Sequence, residues 1–261
     1  MHDPQEGVDE HGFIVTGVRA DRVPEPFQPI VHAAMSATAE HTACSLHLYG
    51  SVATGMALSP SSDVDLLTVG LDANVASSIA QTLSDQFRDR CRSVDVAVVE
   101  PADLRGDTCA AYGTRVFLRH YCAHLNGPSI HPRLPRFKAD QRAARAFNGD
   151  IDRHAQQWRG ELDGTSVGRD GLLARRMARK TLLALAGLVS VHDGVWTTDR
   201  EWGVRRWSEI EPDRADELDM LHAWSTGMPE VEARDLGAAL DGVVGHVIVR
   251  FREAVGLWAD G

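Results

Sequence analysis

The spacing of hydrophobic positions predicts two kinds of structure in the two halves of the chain. In the first half, alternating or β-branched apolar runs predict strands, and apolar residues three or four apart predict helices. The predicted helices and strands are mixed within about 70 residues, at Pro29–Cys44 (helix), Ser45–Tyr49 (strand), Asp63–Val69 (strand, after a loop), Asn74–Arg92 (helix) and Ser93–Val99 (strand). This close mixing of helix and strand predicts an α/β (α+β) domain built on a short mixed sheet.

The second half shows only helical spacing, which predicts an all-α domain. The predicted helices are Leu172–Val191, Asp199–Ser208 and Asp235–Trp258. Three prolines between Gly127 and Pro135 indicate a linker between the halves. We therefore predict a flexible tail at residues 1–12, a first domain at 13–135 and a helical domain at 136–261.

Composition excludes several classes of protein. The chain has 261 residues and a formal net charge of −10, which argues against a protein that binds extended nucleic acid through a basic surface. Its four cysteines form no C-x-x-C pair, and its N-terminus has no apolar signal-peptide core. Since no apolar run is long enough to span a bilayer, we predict a cytoplasmic protein without a membrane partner.

Three acidic residues lie within apolar strands, where an uncompensated charge is costly. Asp63 and Asp65 are two residues apart on one predicted strand, so their side chains point to the same face. Asp95 lies on the next predicted strand and would meet them if the strands are neighbours. Like charges raise one another's pKa unless a cation lies between them. Carboxylates arranged in this way can hold two Mg²⁺ ions about 3.5–4 Å apart for phosphoryl chemistry.

A Gly-Ser step follows the first predicted strand. Gly50 would allow the backbone to approach a phosphate closely, and the amide and hydroxyl of Ser51 could donate hydrogen bonds to it. A helix beginning there would add a favourable dipole. Alone, a Gly-Ser step or an Asp-x-Asp pair is more often a loop feature than a site; together they are specific.

The combination of Gly50-Ser51, Asp63-Val64-Asp65 and a later strand with Asp95 resembles the signature of nucleotidyltransferases of the DNA polymerase β superfamily. The run Leu48–Leu67 is most similar to the aminoglycoside adenylyltransferase branch. This resemblance implies that an acceptor hydroxyl attacks the α-phosphate of a nucleoside triphosphate, with ATP as co-substrate, and that pyrophosphate leaves. It implies that Asp63, Asp65 and Asp95 are the catalytic residues and the Mg²⁺ ligands, with Asp95 either binding the second metal ion or taking the proton of the hydroxyl.

In the second half, two pairs of basic residues lie four apart on one predicted helix and so share a face. These are Arg175 with Arg179 and Arg176 with Lys180. One interpretation is an ordinary solvated surface; the other is a nucleotide-binding face in which Arg176 and Lys180 contact the triphosphate. The same basic face departs from the acidic pocket that the resemblance implies for a polycationic aminoglycoside.

Three hypotheses for function follow. The first is Mg²⁺-dependent adenylyl transfer to a small hydroxylated, aminoglycoside-like acceptor, with a role in antibiotic resistance. The second keeps the chemistry but has tRNA or protein as acceptor, as in toxin-like nucleotidyltransferases. The third is a nucleotide-binding module without catalysis. The sequence indicates neither which nucleoside triphosphate is used nor the oligomeric state.

Overall fold

The computed structural model describes residues 3–163, 170–227 and 230–258, and the chain divides into two compact units, Met1–Phe137 and Lys138–Gly261. The elements of the first unit, in chain order, are β1 (Gly7–Val8), β2 (Ile14–Val15), α1 (Gln28–Thr38), β3 (Ser45–Tyr49), α2 (Gly50–Thr54), β4 (Val64–Val69), α3 (Ala73–Gln86), β5 (Val94–Val99), α4 (Cys109–His120) and β6 (Ala123–Asn126).

Strands β3 to β6 form one mixed sheet in the order β5-β4-β3-β6. Strand β4 runs parallel to β5 and antiparallel to β3, and β3 runs antiparallel to β6. Helix α3 makes the crossover that two parallel neighbours require. The predicted mixed sheet in an α/β domain is therefore confirmed.

Apolar side chains cover both faces of this sheet, as expected for a central strand such as β4 that is buried almost throughout. On one face, Leu48 and Leu66 pack with Ile30 of α1 and Leu83 of α3. On the other face, Leu67 and Val69 pack with Leu118 and Cys122, at the end of α4 and just beyond it. Alternate residues of β4 therefore serve different layers, and the face toward α4 is the one on which Asp65 lies.

The segment at 3–12, predicted as a flexible tail, is instead paired with the rest of the first unit. Strand β1 pairs antiparallel with β2, and the Tyr121 hydroxyl donates a hydrogen bond to Glu6 at 2.5 Å. The predicted linker at 127–135 is also different in the structure, because Ile130 and Leu134 pack against the α4 side of the sheet. Sequence analysis predicted neither α4 nor β6.

Two helices of the first unit are shorter than predicted. Helix α1 ends at Thr38 rather than Cys44, and the Thr38 hydroxyl donates to the carbonyl of Ala34 at 3.0 Å. Helix α3 ends at Gln86 rather than Arg92, and the backbone N–H of Arg92 instead donates to the Ser62 carbonyl at 3.1 Å. That hydrogen bond turns the chain toward β5 and aligns the segments that precede β4 and β5.

The second unit is helical in the described residues, which confirms the predicted helical domain. Its elements are α5 (Gln141–Asn148), α6 (Ile151–Asp163), α7 (Asp170–Asp193), α8 (Arg200–Ile210), α9 (Ala215–Thr226), α10 (Ala233–Ala239) and α11 (Gly245–Ala254). The long buried helix α7 packs against α5, α8, α9 and α11. The single helix predicted over 235–258 is wrong. A π-helical segment, Leu240–Val244, joins α10 to α11, and Gly242 within it has non-helical dihedrals (φ −86°, ψ −105°).

Candidate active site

The three predicted catalytic carboxylates lie together at one end of the sheet. In the parallel pairing of β4 with β5, Asp65 is directly opposite Asp95, and in the antiparallel pairing of β4 with β3 it is opposite Tyr49. Asp63 comes directly before β4. The register of the sheet therefore places the acids of two strands beside Tyr49, the residue before Gly50. The sequence could only suggest this register.

Gly50 stands where β3 turns into α2, and no other residue fits there without strain. Its φ is +73°, in the left-handed region that L side chains rarely adopt. A Cβ atom built on Gly50 would also collide with Oδ2 of Asp65. The glycine therefore lets the backbone turn and lets the Asp65 carboxylate lie against it.

Helix α2 begins at Gly50, so the Gly-Ser step does open a helix, although one of only five residues. Ser51, half-buried, is its second residue, and the backbone carbonyl of Ser51 accepts a hydrogen bond from the N–H of Met56 at 2.9 Å. Gly55 ends the helix in the left-handed conformation, with φ +79°. The backbone of Ser51 is thus held by the hydrogen bonds of α2, two residues after Tyr49, which pairs with Asp65.

Charge repulsion and burial act on this end of the sheet in the same direction. Burial, followed by the negative charges of Asp63 and Asp95, raises the pKa of Asp65 to about 6, against the lowering effect of Arg92. Burial, followed by the charge of Asp65, raises the pKa of the Tyr49 hydroxyl above its ordinary value. Two neighbouring groups whose ionised forms are disfavoured indicate a site that is short of positive charge.

Two residues that sequence analysis missed contact the carboxylates. The guanidinium of Arg92 binds Asp63 through two hydrogen bonds, from Nε to Oδ1 at 2.7 Å and from Nη2 to Oδ2. The Ser93 hydroxyl lies 2.9 Å from Oδ1 of Asp63 and 3.2 Å from Oδ2 of Asp95. Both residues directly precede the strand that carries Asp95, so the expectation that buried acids need a counter-charge could have drawn attention to them.

The donor set fits a hard divalent cation, since carboxylate oxygens are the ligands that Mg²⁺ prefers. In the described residues, however, no group of three or more His, Cys, Asp and Glu side chains is arranged to hold a metal ion. Asp63 is bound to Arg92 instead. Asp63, Asp65 and Asp95 therefore have the chemistry and the register for a metal site, with a guanidinium on one of the three.

The predicted nucleotide-binding residues of the second unit both have partners there. Lys180 Nζ lies 2.7 Å from Asp150 Oδ1 and 3.1 Å from the carbonyl oxygen of Phe147, which joins α7 to the end of α5. Arg176 forms an ion pair with Glu161 of α6. The predicted basic face therefore carries ion pairs between helices, and a role for Arg176 and Lys180 in nucleotide binding stays a prediction.

The mixed sheet followed by a helical unit is a fold that the chain shares with a solved adenyltransferase structure. Among solved structures, the chain is similar to the crystal structure of spectinomycin adenyltransferase AAD(9) from Enterococcus faecialis with ATP and spectinomycin. The TM-score is 0.54 and the sequence identity 10%, over 86% of this chain and 98% of that chain. No protein-family model and no curated protein matches the sequence. The resemblance inferred from the motifs is thus confirmed at the level of the fold.

Two other observations concern the cysteines and the length of the apolar helices. All four cysteines, Cys44, Cys91, Cys109 and Cys122, are free thiols. In the parts of the chain that the structure describes, no helix combines the length and the apolar character needed to cross a bilayer.

Proposed function

We propose that the protein is a Mg²⁺-dependent nucleotidyltransferase that transfers AMP from ATP to a hydroxyl of a small, aminoglycoside-like acceptor. The observation that carries this proposal is the alignment of Asp65 with Asp95 beside the Gly50 turn, because this places two carboxylates and a close-approach backbone at one point. The likeness to an adenylyltransferase structure supports the reaction class. A role in antibiotic resistance would follow from such an acceptor.

In the proposed reaction, a bond forms between the acceptor oxygen and the α-phosphorus, the bond to the β-phosphate breaks, and pyrophosphate leaves. Asp63, Asp65 and Asp95 would hold magnesium, which supplies the positive charge that neutralises the triphosphate. Asp95, the most exposed of the three, would accept the proton of the attacking hydroxyl. The amide and hydroxyl of Ser51 would bind phosphate oxygens, which Gly50 allows to come close.

Two residues of the helical unit are candidates for nucleotide binding. Arg176 and Lys180 would bind the triphosphate, and each would then have to exchange its present carboxylate partner for phosphate. The residue ranges 13–135 and 136–261 are proposed as the nucleotidyltransferase domain and the closing domain. The free cysteines are consistent with the proposed location in the reducing cytoplasm.

The test uses purified protein with Mg²⁺, ATP labelled at the α-phosphate, and a panel of aminoglycosides that includes spectinomycin. We expect a labelled AMP conjugate and an equal amount of pyrophosphate, both lost in the Asp65→Asn variant and retained in Asp85→Asn, which changes an exposed acid on α3. Labelling of total tRNA or of lysate protein in place of the small molecules would transfer the proposal to those acceptors. Nucleotide binding without any transfer would leave only a binding module.

A further inference from the structure

Asp63 has the most hydrogen-bond donors of the three carboxylates. Two donors come from the guanidinium of Arg92 and one from the hydroxyl of Ser93, so both of its oxygens are engaged. A planar guanidinium placed across a carboxylate in this way is the strongest geometry for such a pair. A cation bound to Asp63 would therefore have to compete with a positive charge already bound there.

The position of Arg92 allows its side chain to leave without disturbing the sheet. The side chain is 63% exposed, whereas that of Asp63 is 21% exposed. The backbone of Arg92 is held separately, by the hydrogen bond from its N–H to the Ser62 carbonyl. The side chain can therefore rotate into solvent while the segments before β4 and β5 stay aligned.

Charge explains why such a residue is needed at this position. Asp63, Asp65 and Asp95 lie at one end of the sheet, and the positive group in contact with them in the described residues is Arg92. Three carboxylates without a counter-charge would repel one another and favour protonation. A divalent cation and a guanidinium on the same carboxylate would also repel one another, so the two should exchange.

We infer that Arg92 is the internal counter-ion of the carboxylate site, and that its guanidinium must release Asp63 when a divalent cation binds. This inference rests on the proposed function, since it assumes that the three acids hold a cation. Arg92 is then a positioning residue. Its side chain holds Asp63 in place when no cation is bound, and it sets the cation concentration that is needed to occupy the site.

The first experiment measures Mn²⁺ binding to the full chain, without nucleotide, from the electron paramagnetic resonance signal of free Mn²⁺. Arg92→Ala should bind Mn²⁺ about tenfold more tightly than the wild type. Arg92→Lys, which keeps the charge but not the two-pronged geometry, should lie between them. Arg88→Ala removes another exposed arginine of the first unit and should leave the affinity unchanged. When Asp63→Asn is also present, Arg92→Ala should no longer tighten the binding of Mn²⁺.

The second experiment follows the guanidinium itself. In ¹⁵N-labelled wild-type protein, the Nε–H resonance of Arg92, identified by its absence from the Arg92→Lys spectrum, should shift as Mg²⁺ is added. The inference would be overturned if a folded Arg92→Ala variant bound Mn²⁺ no more tightly than the wild type, or if neither of these two proteins bound Mn²⁺. It would also be overturned if the Nε–H resonance of Arg92 did not move as Mg²⁺ is added. The labelled-ATP assay judges the proposed function separately, because transfer could still occur while Arg92 stays on Asp63.

Discussion

Replacing Gly50 with alanine tests whether the turn after β3 and the position of Asp65 depend on one another. The substitution has two separate effects. An alanine at φ +73° is strained in its backbone, and its Cβ would collide with the Asp65 carboxylate, which must then move. A second glycine, Gly106, has φ +80°, but among the described residues no atom beyond its chain neighbours lies within 4 Å of the place that a Cβ would occupy, so Gly106→Ala has only the first effect.

The structure allows the two contributions to be estimated. The left-handed conformation costs an L residue roughly 1–2 kcal/mol, and moving a side chain off its rotamer costs about 0.5–1.5 kcal/mol. We therefore expect Gly50→Ala to lower the free energy of unfolding by about 1.5–3.5 kcal/mol and Gly106→Ala by about 1–2 kcal/mol. Transfer activity should fall far more in Gly50→Ala, on the order of 100-fold, since small displacements of positioning groups have such effects.

The assay is urea denaturation followed by far-UV circular dichroism, with tryptophan fluorescence recorded in parallel. All six tryptophans belong to the second half of the chain, so their signal shows whether the helical unit is affected. A double-mutant cycle with Asp65→Ala isolates the collision, because a shortened side chain removes it. If Gly50→Ala costs as much in the Asp65→Ala background as in the wild type, the collision is not the cause and the reasoning is refuted.

Three further predictions concern charge. The pKa of Asp65 in the folded protein is about 6, above its ordinary value of 3.8. Between these two pH values the folded protein therefore binds more protons than the unfolded chain. The stability of the first unit should thus fall as pH rises from 4 to 6. Asp65→Asn should remove that slope and raise the free energy of unfolding at pH 7 by up to about 3 kcal/mol, measured by urea denaturation at each pH. Lys180→Met should remove the lysine partner of Asp150, which keeps its contact with His154 at 3.2 Å, and should destabilise the second unit by about 1–3 kcal/mol, read from tryptophan fluorescence; an unchanged midpoint would contradict this. Asp95→Asn should reduce AMP transfer by roughly 100-fold or more while ATP binding, measured by calorimetry, persists; equal activity would remove Asp95 from the site.

The strands of the site could be predicted from the sequence because each is an apolar run with a clear boundary. Ser45–Tyr49 matches the observed β3, and the acid-bearing strands differ from β4 and β5 by one residue at their starts. Carboxylates inside such runs are costly, which is why their positions pointed to chemistry. The hydrophobic pattern and the cost of burying charge were together sufficient to predict where the three carboxylates of the candidate site lie along the chain.

Helix α4 could not be predicted because its sequence has weak local preferences. It contains Gly113 and the β-branched Thr114 and Val116, which are poor helix formers. Its stability comes from tertiary packing, since Val116 and Leu118 are fully buried. Packing of this kind depends on segments distant in the chain.

The expectation of a counter-charge could have drawn attention to Arg92, but the particular partners of Arg92 and Lys180 could not be predicted from the sequence. Arg92 is 29 residues from Asp63, and the pair forms because the loops before two parallel strands are aligned. Lys180 meets Asp150 because α7 packs beside the short helix α5 and the start of α6. A periodic pattern shows which face a residue occupies but not which residue from another element lies opposite it.

The parallel register of β4 and β5 links the evolution of the site to that of the sheet. Asp65 faces Asp95 only in the register that also buries Val64 and Val94, because a slip by one residue would turn every side chain of a strand to the opposite layer. An insertion within either strand would thus turn its carboxylate toward the layer that now holds Val64 and Val94. We therefore expect length changes to be tolerated in the connection that holds α3, because the carboxylates keep their places there.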